Sequence, residues 1–143
     1  FALLGTIGLS VVLEFVLPLH LLPTAFGLWL TLAGALLFAV ALALTLGGAR
    51  TFSSAGTNVD PRKPALIIVR NGPYRFTRNP MYLGMVGMTF AVALIFSLDW
   101  ALIGGVALWA ILHFGVVLRE ESYLTGKFGA PYTDFTAATR RWL

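Results

Sequence analysis

Two short stretches hold most of the side chains able to do chemistry. The first reads Asn71-Gly-Pro-Tyr-Arg-Phe-Thr-Arg-Asn-Pro-Met-Tyr-Leu-Gly84 and sets Arg75 and Arg78 just before an Asn79-Pro80 pair. Asn is a favoured helix N-cap, and proline fits the first helical position, where an N–H is not needed. The plain reading is therefore a cap for the helix that follows. A helix start also presents unpaired N–H groups and the positive end of the helix dipole. Beside two guanidiniums, that makes an anion site suited to a carboxylate or phosphate. Anchoring to lipid headgroups is the competing role, stronger for Arg75 than for Arg78.

The second stretch reads Arg119-Glu-Glu-Ser-Tyr-Leu-Thr-Gly-Lys-Phe-Gly-Ala-Pro-Tyr-Thr-Asp-Phe135. Glu120 and Glu121 stand where a long apolar run ends. Such a pair is ordinarily a solvated helix exit, but it also accepts charge-assisted hydrogen bonds from an ammonium or a diol. A desolvated member would serve as a base. On an uninterrupted α-helix, Glu120 lies two turns from His113 on one face, about 10 Å away, with Trp109 alongside. His113, an ionisable group inside an apolar run, is either functional or a neutral hydrogen-bonded ring. Phe128-Gly129 followed by Pro131 reads as a helix end.

The elements that must position these groups belong to a membrane protein. The chain has 143 residues, 58% of them hydrophobic and 11% charged, with a mean hydropathy of +0.84. Soluble domains carry about a quarter charged residues. Four apolar runs, about 1–19, 24–48, 81–98 and 100–118, approach the roughly 20 residues that cross a hydrocarbon core. Tight turns at His20–Pro23 and Ser97–Asp99 join them into two hairpins. The expected fold is an all-α membrane protein, one domain over 1–143, with four transmembrane helices as two hairpins. A loop over 49–80 separates the hairpins, and a helix or tail over 119–143 follows. The chain opens on Phe1 rather than Met, which leaves room for residues before it. It shows neither the basic front nor the cleavage site of a secretory signal, so the first run is read as a membrane element.

All ten Lys and Arg lie in the central loop or the tail, and none in either hairpin turn. The positive-inside rule then puts loop, tail and N-terminus on the cytoplasmic side. The net charge of +4 is confined to these flanks, which argues against nucleic acid as a partner. Absence of cysteine removes disulfides, thiol nucleophiles and thiolate metal sites. His20 and His113 stand too far apart in sequence to suggest a metal centre. Phosphate-loop, dinucleotide-binding and zinc-hydrolase signatures are absent. A 32-residue connection is far longer than a simple turn needs, so chemistry is expected where it meets the tail. Met81, Met85 and Met88 form a helical stripe that reads as packing. Gly84, Gly87, Gly104 and Gly105 would let helices approach closely.

Together the two stretches resemble the membrane methyltransferases that include isoprenylcysteine carboxyl methyltransferase and phosphatidylethanolamine N-methyltransferase. The matching residues are Gly72, Tyr74, Arg78, Asn79, Pro80, Tyr82 and Gly84 in the first. In the second they are Glu120, Glu121, Leu124, Phe128, Gly129, Tyr132 and Phe135. The resemblance covers about residues 50–143 and implies S-adenosylmethionine as methyl donor, with S-adenosylhomocysteine as product. It implies cofactor contacts from Tyr74, Arg78, Asn79, Pro80, Tyr82, Glu120 and Glu121. An amine or thiol acceptor must lose a proton, and Glu120, Glu121 or His113 is the catalytic candidate to receive it. Arg78 and the start of the third span suit the donor's carboxylate, and a glutamate suits its ammonium or diol. The Ala65–Val69 stretch suits its adenine, and the rings of Tyr74 and Tyr82 suit its sulfonium.

The implied activity is methylation of a lipophilic acceptor at the cytoplasmic membrane surface, isoprenylcysteine carboxyl methyltransferase-like. Alternatives are a phosphatidylethanolamine-type N-methyltransferase and a small-thiol S-methyltransferase. The isoprenylcysteine branch usually carries histidine where this chain has Asn79, and Asn79-Pro80-Met81-Tyr82 is closer to the phospholipid branch. A non-enzymatic membrane scaffold subunit is the competing class. A channel or transporter fits less well, because intramembrane charge is sparse and no inverted repeat is visible.

Overall fold

The computed structural model describes residues 1–23, 27–56 and 67–143. Among them the chain is helical, with no strand and a single parallel bridge between Thr77 and Arg140. Helix α1 spans Ala2–Val16 and α2 spans Gly27–Ser54. A 3-10 turn at Gly72–Arg75 leads into α3, Pro80–Phe96. Helix α4, Asp99–Leu112, continues through a π-helical segment at His113–Val117 into α5, Leu118–Phe128. After a break at Gly129, α6 covers Ala130–Ala138.

Two helices are by themselves long and apolar enough to cross a bilayer, α2 and the continuous Asp99–Phe128 helix. Helices α1 and α3 are equally apolar but shorter, at 15 and 17 residues. The four expected runs are therefore all helices, two of them of full spanning length. Their boundaries differ from those expected. Residues 49–54 extend α2 into the expected loop. The fourth helix does not end at 118 but runs ten residues on, carrying the glutamates with it. Leu4, Phe15, Trp29, Leu36, Ile111 and Phe114 project outward, as side chains facing lipid would.

Helices α2 and α3 form the most extensively packed pair, running antiparallel. Small residues make this possible. A Cβ on Gly84 would collide with Thr45 Oγ1 and lie 2.5 Å from the Ala41 carbonyl oxygen. Between helices in lipid, such close backbone approach supplies the dispersion contact that a hydrophobic effect supplies in water. Gly34 approaches Ala91 and Ile95 at one end of the seam, and Gly48 approaches Pro80 and Met81 at the other. The seam thus delivers the end of α2 to the start of α3. Helix α1 packs on α4, where Gly104 faces Thr6 and Ser10.

Candidate functional site

The start of α3, the 3-10 turn, α5 and the last residues of the chain meet at one end of the helical bundle. Asn79 occupies the N-cap position of α3 and Pro80 the first turn, as expected, but the Asn79 side chain makes no cap bond. Its Nδ2 instead donates to the Arg141 carbonyl at 2.9 Å. Thr77 Oγ1 donates to the same carbonyl at 3.2 Å, and Arg78 N–H donates to the Arg140 carbonyl at 2.9 Å. The tail is thereby laced along residues 77–79.

The two glutamates face different partners. Tyr82 donates its hydroxyl to Glu120 Oε1 at 2.9 Å. Glu121 takes a forked pair of bonds from Arg141, Nε to Oε1 at 2.9 Å and Nη2 to Oε2 at 2.8 Å. Arg78 Nη1 lies 3.1 Å from Glu121 Oε1, with only 12% of the Arg78 side chain and 17% of the Glu121 side chain exposed. Forked guanidinium–carboxylate pairing fixes both planes and is stronger than a single neutral bond. The Glu121 carboxylate, bonded to it directly, pushes the Arg141 guanidinium above its ordinary range, so it remains a cation.

Two buried polar atoms here have no hydrogen-bond partner, Tyr74 Oη and Arg78 Nε. Unsatisfied buried donors are uncommon and point to an absent ligand or solvent. Burial, followed by the nearby Glu120 charge, raises the Tyr74 phenol well above its usual range. The Tyr74 ring packs against Phe52 of α2, centroids 4.8 Å apart. Tyr132 of α6 completes this side. Its phenol is also raised, first by burial and then by Glu121, with the Arg78 guanidinium opposing.

His113 lies on the other side of the tail. Its ring stacks on Trp109, centroids 5.2 Å apart and planes within 9°. Trp142 donates its indole N–H to His113 Nδ1 at 3.2 Å, which assigns the proton of the neutral ring to Nε2. The expected two-turn stacking of Glu120 on His113 assumed an uninterrupted α-helix. The π segment that begins at His113 widens the turn and re-aims the glutamates toward Tyr82 and Arg78.

Thus Tyr74, Arg78, Asn79, Pro80, Tyr82, Glu120 and Glu121 gather at one bundle end, with Pro80 at the start of α3. Two participants were not singled out from sequence: Arg141 counted only among the tail's charges and Trp142 had no reading, although a basic–aromatic pair just beyond a helix was a visible signal. Tyr132 was a matching residue of the second stretch to which no contact was assigned.

A cavity of about 390 Å³ lies between the end of α2 and residues 67–72. Its lining includes Ile67, Ile68 and Val69, the described part of the stretch expected to face adenine, but neither glutamate nor Asn79. Ala65 and Leu66 of that stretch lie outside the described residues.

The sequence matches the profile of the phospholipid methyltransferase family over residues 29–131. No curated protein and no solved structure matches the chain. The match runs from α2 to the start of α6 and takes in the first stretch whole and the second as far as Pro131. The chain belongs to the phospholipid methyltransferase family, and it is a membrane protein.

Proposed function

We propose that this member of the phospholipid methyltransferase family transfers a methyl group from S-adenosylmethionine to the amine head of a membrane phospholipid. The reaction takes place at the cytoplasmic membrane surface. The observation that carries the reading is the joining of Arg78–Tyr82 to Glu120–Glu121 through Tyr82, Arg78 and Arg141. The family match supplies the reaction class. The isoprenylcysteine-type carboxylate acceptor is the second reading, because the two stretches resemble the wider superfamily that includes that branch.

The residues suit the donor's amino-acid end. Arg78 has a buried donor without a partner, and so does Tyr74. A carboxylate would satisfy both. Glu120 stands 2.9 Å from Tyr82 and would receive the ammonium of the acceptor headgroup. When bound, S-adenosylmethionine supplies a methyl on a sulfonium, which the acceptor nitrogen attacks in line as the carbon–sulfur bond breaks.

The chain's own task is mostly alignment, which is worth several kcal/mol when the reacting atoms are held in near-attack geometry. Glu121, locked by two guanidiniums, orders the site. Glu120 takes the proton that the amine gives up. His113 accepts a proton at Nδ1 only after releasing Trp142, so we assign it a positioning role.

The decisive experiment incubates purified protein with methyl-labelled S-adenosylmethionine and a panel of phosphatidylethanolamine, farnesylcysteine derivatives and apolar thiols. Mass spectrometry is expected to find the label on the lipid amine. Label on farnesylcysteine would select the carboxylate reading. Binding of no donor and labelling of no acceptor would leave a scaffold subunit.

A further inference from the structure

The cavity beside Tyr74 has no part in the chemistry above, yet its composition is specific. Arg50, Thr51, Ser54 and Ala55 form one wall, at the last turns of α2, and Ile67 through Gly72 form the other. Two guanidiniums, Arg50 and Arg70, line it, and no carboxylate does among the described residues. Arg70 is held in place, donating to the Pro131 carbonyl and lying 5.7 Å over the Phe135 ring. Arg50 is exposed and has no acidic partner among the described residues. The C-terminus of α2 contributes about half a negative charge. Two cations outweigh it, so the cavity favours an anion.

The walls are also stiff. A Cβ on Gly72, which has φ +58°, would lie 2.6 Å from Thr51 Oγ1, so this turn presses directly on α2. The polar groups sit at the mouth of a full-length apolar helix, and Ile67, Ile68 and Val69 line the cavity beside them. A ligand with an anionic centre and an attached hydrocarbon fits that pairing better than a free ion does. Tyr74 follows two residues after this lining: its ring packs on α2 at Phe52, and Glu120 bears electrostatically on its hydroxyl.

We propose that this cavity holds the phosphodiester of the acceptor phospholipid, with Arg50 and Arg70 pairing the phosphate. The amine of the same headgroup then reaches past Tyr74 toward Glu120. The inference rests on the lipid-amine reading above and adds to it the group that selects a phospholipid over other lipids.

The test titrates detergent-solubilised protein with dioctanoyl phosphatidylethanolamine, dioctanoylglycerol and inorganic phosphate, and separately with S-adenosylmethionine. Wild type is expected to bind the phospholipid at least tenfold more tightly than the diacylglycerol, and inorganic phosphate is expected to compete only weakly. Arg50→Glu should lose tenfold or more of the phospholipid affinity, Arg50→Lys should keep most of it, and both should bind the donor as wild type does. Arg50 lies exposed on a helix surface, so these variants leave no buried group unpaired, and circular dichroism checks their fold.

Equal affinity of wild type for phospholipid and diacylglycerol would overturn the proposal, as would undiminished phospholipid binding by Arg50→Glu. Strong displacement by inorganic phosphate would make it a free-anion site instead. Loss of donor binding in Arg50→Glu would give the cavity to the nucleoside. An Arg50-dependent lipid affinity without methyl transfer would sink the enzymatic reading and leave the phosphate site standing.

Discussion

Two polar clusters interrupt this apolar bundle, one at each end, and they are built differently. At the hairpin-turn end, Asp99 is 3% exposed and accepts from the backbone N–H groups of Leu21 and Leu22, both at 2.9 Å. Glu14 accepts from Trp100 N–H at 3.1 Å, and Ser10 donates to the Trp100 carbonyl at 3.2 Å. There carboxylates meet main chain, and the partners are fixed by the fold. At the other end, carboxylates meet tyrosine and arginine side chains, a C-terminal strap crosses over, and two buried donors go unsatisfied. Side chains have rotamers to give up and partners to exchange, whereas backbone does not. The first cluster staples two hairpins together, and the second is arranged to receive something.

That contrast predicts opposite signatures. The largest effect is expected from Glu120→Gln, which removes the proposed proton acceptor while keeping the shape and the Tyr82 bond. Methyl transfer to an amine should fall by about 10²–10³-fold with a native thermal transition. Unchanged turnover would strip Glu120 of its chemical role and erase the distinction between the two ends. Next comes Asp99→Ala at the staple. It leaves two backbone N–H groups without their charged acceptor, which costs about 2–4 kcal/mol of stability. A depressed melting temperature is expected, with turnover per folded molecule preserved. Smaller again is the difference between two arginines. Arg78→Ala should weaken donor binding by about tenfold, since it removes a charge-assisted bond in a mostly buried site. Arg75→Ala, whose side chain is exposed, should change it by less than twofold. Equal effects in a titration would reduce Arg78 to a structural partner of Glu121.

Sequence carried the frame and one side of each polar cluster. Apolar runs and turn residues located four helices because burial in lipid demands long uncharged segments, and that demand is written residue by residue. The glycines at 84 and 104 announced close approach, and the structure has both facing neighbouring helices. Asn79-Pro80 marked where α3 begins. Helix ends were less legible: α2 and α5 continue past their apolar portions, since nothing in hydropathy stops a helix on leaving the membrane. The π segment left no trace in composition, because any residue accommodates a wider turn when packing around it is favourable. What the carboxylates bind was the least legible. Asp99 reads from sequence only as a turn residue, since its partners, like that of Glu14, are backbone N–H groups distant in sequence. Arg141 reaches Glu121 only because the tail doubles back after α6, a long-range event that no local pattern encodes.

The finest test compares two tryptophans that do the same thing in different company. Trp100 donates its indole N–H to the Leu17 carbonyl at 2.7 Å, within the staple. Trp142 donates its own to His113 at 3.2 Å, one residue from the arginine that grips Glu121. Phenylalanine at either position keeps an aromatic ring and deletes one hydrogen bond, worth about 1 kcal/mol. If the bond energy alone mattered, the two variants would behave alike. The geometry says otherwise. Trp142 packs on the cluster of Val86, Leu108 and Leu112 and anchors the strap whose Arg140 and Arg141 carbonyls hold Arg78, Thr77 and Asn79. Loosening it disturbs the donor site. Trp142→Phe is therefore expected to lower both the melting temperature and the donor affinity, the latter a few-fold, whereas Trp100→Phe lowers the melting temperature alone. A donor affinity that falls equally in both would mean the two ends are one cooperative unit, and the division between staple and site would have to be abandoned.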